Sequence, residues 1–247
     1  IDGFLDGLLV VIVITSLSLI PLILIKEPKS TKTLKSKITI TLIKQKLLNW
    51  YEIFFNSNDI RVVAKSNIVI AIPESMAPFF TIWLIAFYSI DANRIGIWVT
   101  LLLISQSLGS FIVPLVASKF GFKITYIFGL IFYFIASGLF LHDPVTFQNL
   151  IFIFAGLGSG TFVTSQSNIS VEIGTVGDAG NTNAMLTAFR LPGLLLGPFI
   201  FAYFVNLENI SFFLIASMFS SIAGFLIMNF KLKNKILPQV RFWSKDS

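Results

Sequence analysis

SNIVIAIPESMAPFFTIWLIAFYSI, residues 66–90, carries a single charge, Glu74, in a run long enough to cross a bilayer. A second run, TNAMLTAFRLPGLLLGPFIFAYFV at 182–205, carries only Arg190. A spanning helix needs about 20 mostly apolar residues, because lipid offers the backbone no partners and only helices or closed barrels satisfy every amide internally. Barrel strands would alternate with period two over roughly ten residues, whereas these runs are longer and uniformly apolar. Further runs at 4–25, 95–117, 124–141, 149–171 and 211–230 complete seven predicted spans. The expected fold class is an all-α membrane protein: a six-helix transmembrane bundle of two three-helix repeats preceded by one additional transmembrane helix.

Composition agrees. Of 247 residues 55% are apolar and 12% charged, and Phe alone contributes 27, giving a mean hydropathy of +0.85. Cys is absent, which removes disulfides, thiolate metal sites and cysteine nucleophiles. The one histidine, His142, falls in a predicted loop with Asp143 and Pro144 and excludes a His-rich metal site. No acidic ligand cluster, no nucleophile with a base at helical spacing and no phosphate-cradling loop is found, so neither an enzyme nor a cofactor is expected. The chain opens Ile1-Asp2-Gly3 without Met. Its first run lacks the basic n-region and cleavage site of a signal peptide, and the chain is expected to be a piece of something longer.

Sidedness follows from Lys and Arg, which short cytoplasmic loops retain. The connection 26–65 holds nine of the 18 basic residues, the loop near 119–123 holds Lys119 and Lys123, and the tail 231–247 holds five. These loops alternate along the chain and belong on one side; the other side has only Arg94. A multi-pass protein of the cell (plasma or inner) membrane with a cytoplasmic C-terminus is expected, divided into a helix at 1–25, a basic cytoplasmic linker at 26–65, a bundle at 66–230 and a basic tail at 231–247. The formal charge of +6 is then retained charge in contact with anionic lipid, and no nucleic-acid partner is expected. Within the linker, Ile40, Ile43, Leu47, Tyr51, Phe54 and Phe55 recur at helical spacing opposite Lys44, Gln45, Lys46, Asn49 and Glu52. That pattern suits an amphipathic helix in the cytoplasmic interface or a helix packed on the ends of the bundle.

The two charges sit in polar stripes. Asn67, Glu74, Pro78 and Thr81 share one face of 66–90, with Pro73 and Pro78 bracketing the glutamate; Asn183, Thr187 and Arg190 share one face of 182–205. Each proline removes a backbone donor, and broken helices at membrane depth mark binding regions in transporters. Both charges lie about eight residues in, roughly 12 Å at 1.5 Å per residue. A lone charge at mid-membrane costs about 2.5–3.5 kcal/mol even on the lenient insertion scale, so both are expected to face the bundle interior or water. In one reading Arg190 contacts or gates an anionic solute while Glu74 answers to a proton or cation; in the other they form a mutual structural ion pair, or Arg190 snorkels to the interface. Ser105, Gln106, Gly109 and Ser110 on 95–117, and Thr161, Thr164, Ser165 and Asn168 on 149–171, could line a cavity or bridge helices. Gly156 with Gly160, and Gly193 with Gly197, provide GxxxG spacings that favour close helix packing.

Six spans after a long basic connection look like the C-terminal half of a major facilitator superfamily transporter, with 4–25 similar to the last helix of its N-terminal half. PLVASKFGFK at 114–123 resembles the degenerate second copy of that family's loop signature, G-x-x-x-D-R-x-G-R-K: Lys119, Gly121 and Lys123 fit, while Pro114 and Ser118 replace the first Gly and the Asp. Phe189-Arg190-Leu191-Pro192-Gly193 leading to Gly197-Pro198 is similar to the eleventh helix of many family exporters. The resemblance implies alternating access by two halves rocking about a central cavity, a small organic solute, the proton as coupling ion, and export over uptake. Its partners would be the solute, the ion, the lipid bilayer and a missing N-terminal half or second subunit. The alternative is a non-transporting membrane scaffold or a half-transporter.

Overall fold

The computed structural model describes residues 40–88, 93–174, 179–195, 199 and 210–232. The expected span 4–25, the start of the linker, the end of the span 182–205 with Gly197 and Pro198, and the tail beyond 232 lie outside the described residues. Among the described residues all regular structure is helical, in seven helices: α1 (Ile40–Asn56), α2 (Asn58–Tyr88), α3 (Asn93–Phe120), α4 (Phe122–His142), α5 (Gln148–Ile173), α6 (Ala179–Ala188) and α7 (Ile210–Lys231).

Four helical stretches among them, Arg94–Phe120, Phe122–His142, Gln148–Ile173 and Phe213–Lys231, are long and apolar enough to cross a membrane. Their outward faces carry the same message. On α3, Ile97, Ile104, Leu108, Phe111 and Leu115 recur at helical spacing and are all exposed, as are Phe219 and Phe230 on α7. A water-soluble protein rarely leaves so continuous an apolar surface open; lipid accepts it without cost. This is a membrane protein.

The ends of the helices follow local chemistry. Ser57 separates α1 from α2 and caps the latter, its Oγ accepting from the amide of Ile60 at 3.3 Å, with Asp59 adding negative charge to the first turn. Gly121 joins α3 to α4 at φ 83°, ψ 158°, a region almost closed to residues with a Cβ. In the loop between α4 and α5, Asp143 accepts from the amides of Val145 and Thr146.

Packing centres on α5, which lies against α3 and α4, while α7 lies against α4 and α2 and α6 against α5. Glycines form the tightest seam. A Cβ on Gly109 would stand 2.8 Å from the carbonyl oxygen of Leu157, and one on Gly156 or Gly160 would run into the backbone carbonyls of Leu102 or Gln106. Glycine permits that approach, and close approach is what holds helices together where lipid is as apolar as the side chains. A large apolar cluster, including Ile70, Val113, Tyr126, Leu130, Phe162, Ile169 and Met228, fills the centre.

Candidate functional site

The charges at Glu74 and Arg190 meet. Arg190 Nη2 donates to Glu74 Oε2 in an ion pair whose side chains are 12% and 19% exposed, arginine first. Arg190 Nη1 also donates to Gln166 Oε1 at 3.3 Å, and the guanidinium lies over the Phe162 ring, 5.3 Å from its centroid. Two elements therefore hold the arginine: α2 by charge, and α5 by an amide and an aromatic face.

The local backbone explains how Arg190 is presented. α6 ends at Ala188, residues 189 and 190 form a turn, and helical backbone resumes over 191–195. Pro192 has no amide to give the Ala188 carbonyl, and the Arg190 amide bonds Thr187 instead, at 3.0 Å. The arginine thus stands at an opening in its helix. The breaks expected at Pro73 and Pro78 take a different form: α2 is helical through both positions. One missing donor bends a packed helix without ending it, and the interruption falls before Pro192, with Gly193 buried in the helical turn beyond.

Below the pair lies a second polar tier. Asn67, fully buried, donates to the Leu186 carbonyl at 3.4 Å and accepts from Tyr126 Oη at 3.2 Å, and Tyr126 is 2.8 Å from Ser66 Oγ. The Tyr126 ring packs 4.8 Å from that of Phe162, the ring beneath the guanidinium. Asn67 and Glu74, seven residues apart, use one face of α2 for both tiers. Above, Glu74 is at the wall of a cavity of about 70 Å³ between α2, α4, α5 and α7, whose polar lining includes Tyr133, Ser137, Ser217 and Ser221. Most of its wall is apolar, from Ile70, Phe140, Ile151 and Leu214, and its hydroxyls are partnered within the protein: Ser137 Oγ is 2.9 Å from Ser217 Oγ, and Ser221 donates to the Ser217 carbonyl at 3.1 Å.

The other expected site residues divide. Thr161 is buried and donates to the Leu157 carbonyl of its own helix, and Asn168 donates likewise to Thr164. Ser165 bridges to Thr125 on α4 at 2.8 Å and Ser110 to the Gly160 carbonyl at 3.3 Å. Gln106 is half-buried beside the glycine seam, Thr187 is exposed, and Asn183 Oδ1 is buried without a hydrogen-bond partner among the described residues. In the loop motif, Lys119 is exposed, whereas Lys123 reaches across to α7 and donates to the Asn229 and Leu232 carbonyls at 2.9 and 2.7 Å. A cation at a helix C-terminus satisfies orphan carbonyls and complements the dipole.

Gln166, Phe162 and Tyr126 are the members of this site that sequence reasoning did not single out. The available signal was the i, i+4 spacing of Phe162 and Gln166, a face one step round from Thr161 and Ser165. No protein-family model and no curated protein matches the chain.

Proposed function

We propose that the chain is the C-terminal part of a secondary active transporter for a small organic solute, built as a six-helix bundle of two three-helix repeats of the major facilitator type and working by alternating access. The observation that carries the reading is the Glu74–Arg190 pair: a mostly buried acid and base on different helices, one at a helix opening and the other at the wall of a small cavity. Such a pair has two ways to part. A proton on Glu74 removes the charge that occupies Arg190, and an anionic group on a solute competes for the same guanidinium. Either event frees a donor-rich side chain that Gln166 and Phe162 also hold. Proton coupling, export, and a cell-membrane location with the C-terminus and the basic loops in the cytoplasm belong to the same proposal.

A second reading, a non-transporting scaffold or half-transporter, is favoured by the mutual satisfaction of the two charges. Flux of acidic solutes into proteoliposomes carrying the full-length protein, with and without a pH gradient, separates the readings. In a transporter, Glu74→Gln keeps exchange but loses its acceleration by the gradient, and Arg190→Gln abolishes flux. Folded variants that both keep gradient-driven flux refute the assignment; flux from the unaltered protein no greater than from empty vesicles leaves the scaffold.

A further inference from the structure

Helix α1 has three sides. Trp50, Ile53 and Phe54 pack on the bundle: Trp50 Nε1 donates to Asn181 Oδ1 at 2.6 Å, and the Phe54 ring lies 4.8 Å from that of Phe189. Gln45, Asn49 and Glu52 form an exposed polar side. Between these two, at about 100° per residue, lie Leu47, Leu48, Tyr51 and Phe55, which are 56, 56, 62 and 50% exposed. Four large apolar side chains in a row are thus left open on a helix already anchored along its neighbouring side.

The end of the bundle that bears α1 is basic. α1 runs into the start of α2 at Ser57; the same end holds the α3–α4 junction at Gly121 and, through Lys123, the last carbonyls of α7. Lys44, Lys65, Lys119 and Lys231 are all exposed. From this charge we infer that the apolar side of α1 is a docking surface for an anionic bilayer, its four large side chains sunk at the boundary of headgroups and acyl chains and its polar side in water. An interfacial helix needs that division, and lysines near the surface add attraction to anionic lipid. The inference rests on the membrane-spanning helices and is independent of transport. It has a consequence inside the protein. The side of α1 next to the lipid-bound one holds Asn181 and Phe189, the residue before Arg190, so the membrane surface pins α6 and the turn that follows it.

The chain has no cysteine, which allows single spin labels at Leu47, Tyr51 and Phe55 and at Gln45, Asn49 and Glu52, in vesicles of phosphatidylcholine with and without phosphatidylglycerol. The expected result is greater relaxation by oxygen than by a water-soluble nickel chelate at the first three, the reverse at the others, and a contrast that shrinks without phosphatidylglycerol or in high salt. Equal nickel access on both sides overturns the proposal, and so do labels at the first three positions shielded from both reagents, because another protein segment then covers them. Trp50→Phe keeps the apolar bulk and removes only the bond to Asn181. A label at Ala184 on α6 should gain mobility in that variant while the relaxation pattern persists; unchanged mobility overturns the pinning of α6.

Discussion

A guanidinium removed from water loses the partners water gave it, and Arg190 recovers part of them from three sources, a carboxylate, an amide oxygen and an aromatic face, while its Nε is buried without a hydrogen-bond partner among the described residues. Deleting one partner of a buried pair costs about 3–5 kcal/mol because the other charge remains behind, while deleting both costs far less. A cycle of Glu74→Gln, Arg190→Gln and the double variant should show that pattern in thermal unfolding in detergent, the double variant being more stable than either single one. Additive losses would mean that the charges do not depend on each other. At Asp143, outside the spans, hydrogen bonding from the Thr146 side chain, with further bonds from the Thr146 and Val145 amides, holds the carboxyl below its usual 3.8. A carboxyl depressed on folding contributes stability that is whole above 3.8 and is lost as pH falls through the lower folded value. The Val145 and Thr146 amide resonances should therefore shift together in that acid range, and Asp143→Asn should abolish the shift. The two charges at Glu74 and Arg190 were legible in the sequence because a lone charge in an apolar run demands a partner. Gln166 and Tyr126 were not, because a neutral amide or a phenol in such a run can be satisfied in many ways.

At the scale of the element, the pairing of α3 with α5 was written in Gly156 and Gly160, since a spacing of four puts both on one helical face. Adding an isopropyl group there should force the backbones apart: Gly160→Val is expected to cost about 1–3 kcal/mol, the range for overpacked cores, read as a lowered unfolding midpoint. Gly138→Ala is the control, because its Cβ would meet nothing nearer than Met218 Cε at 3.8 Å, and, with alanine favoured over glycine inside a helix, it should not lower the midpoint. Lys123 teaches the opposite lesson. Its match to a loop signature marked it as a cytoplasmic charge, yet its partners are backbone carbonyls 106 and 109 residues away, which no local pattern encodes. Lys123→Met keeps the stem and removes the cation; hydrogen exchange over residues 229–232 should rise as the end of α7 frays, with a loss of about 1.5–3 kcal/mol for bonds made by a charged donor. Prolines were ambiguous for a related reason. The backbone opens before Pro192 and continues through Pro73 and Pro78, and what surrounds each ring decides between these outcomes.

For the whole molecule, the helical class and the membrane environment could be read from run length and hydropathy alone, because the bilayer imposes both. The order of neighbours could not: that α7 returns to lie between α2 and α4 is settled by side-chain fit, beyond the reach of composition. The glycine contact between α3 and α5 limits how this molecule can deform. With backbone lying directly on backbone at three positions, neither helix can slip past the other without collision, so the two must travel together as a keel. Relative movement is left to joints cushioned by rings, such as Phe54 on Phe189, which can tilt and re-seat without losing their burial.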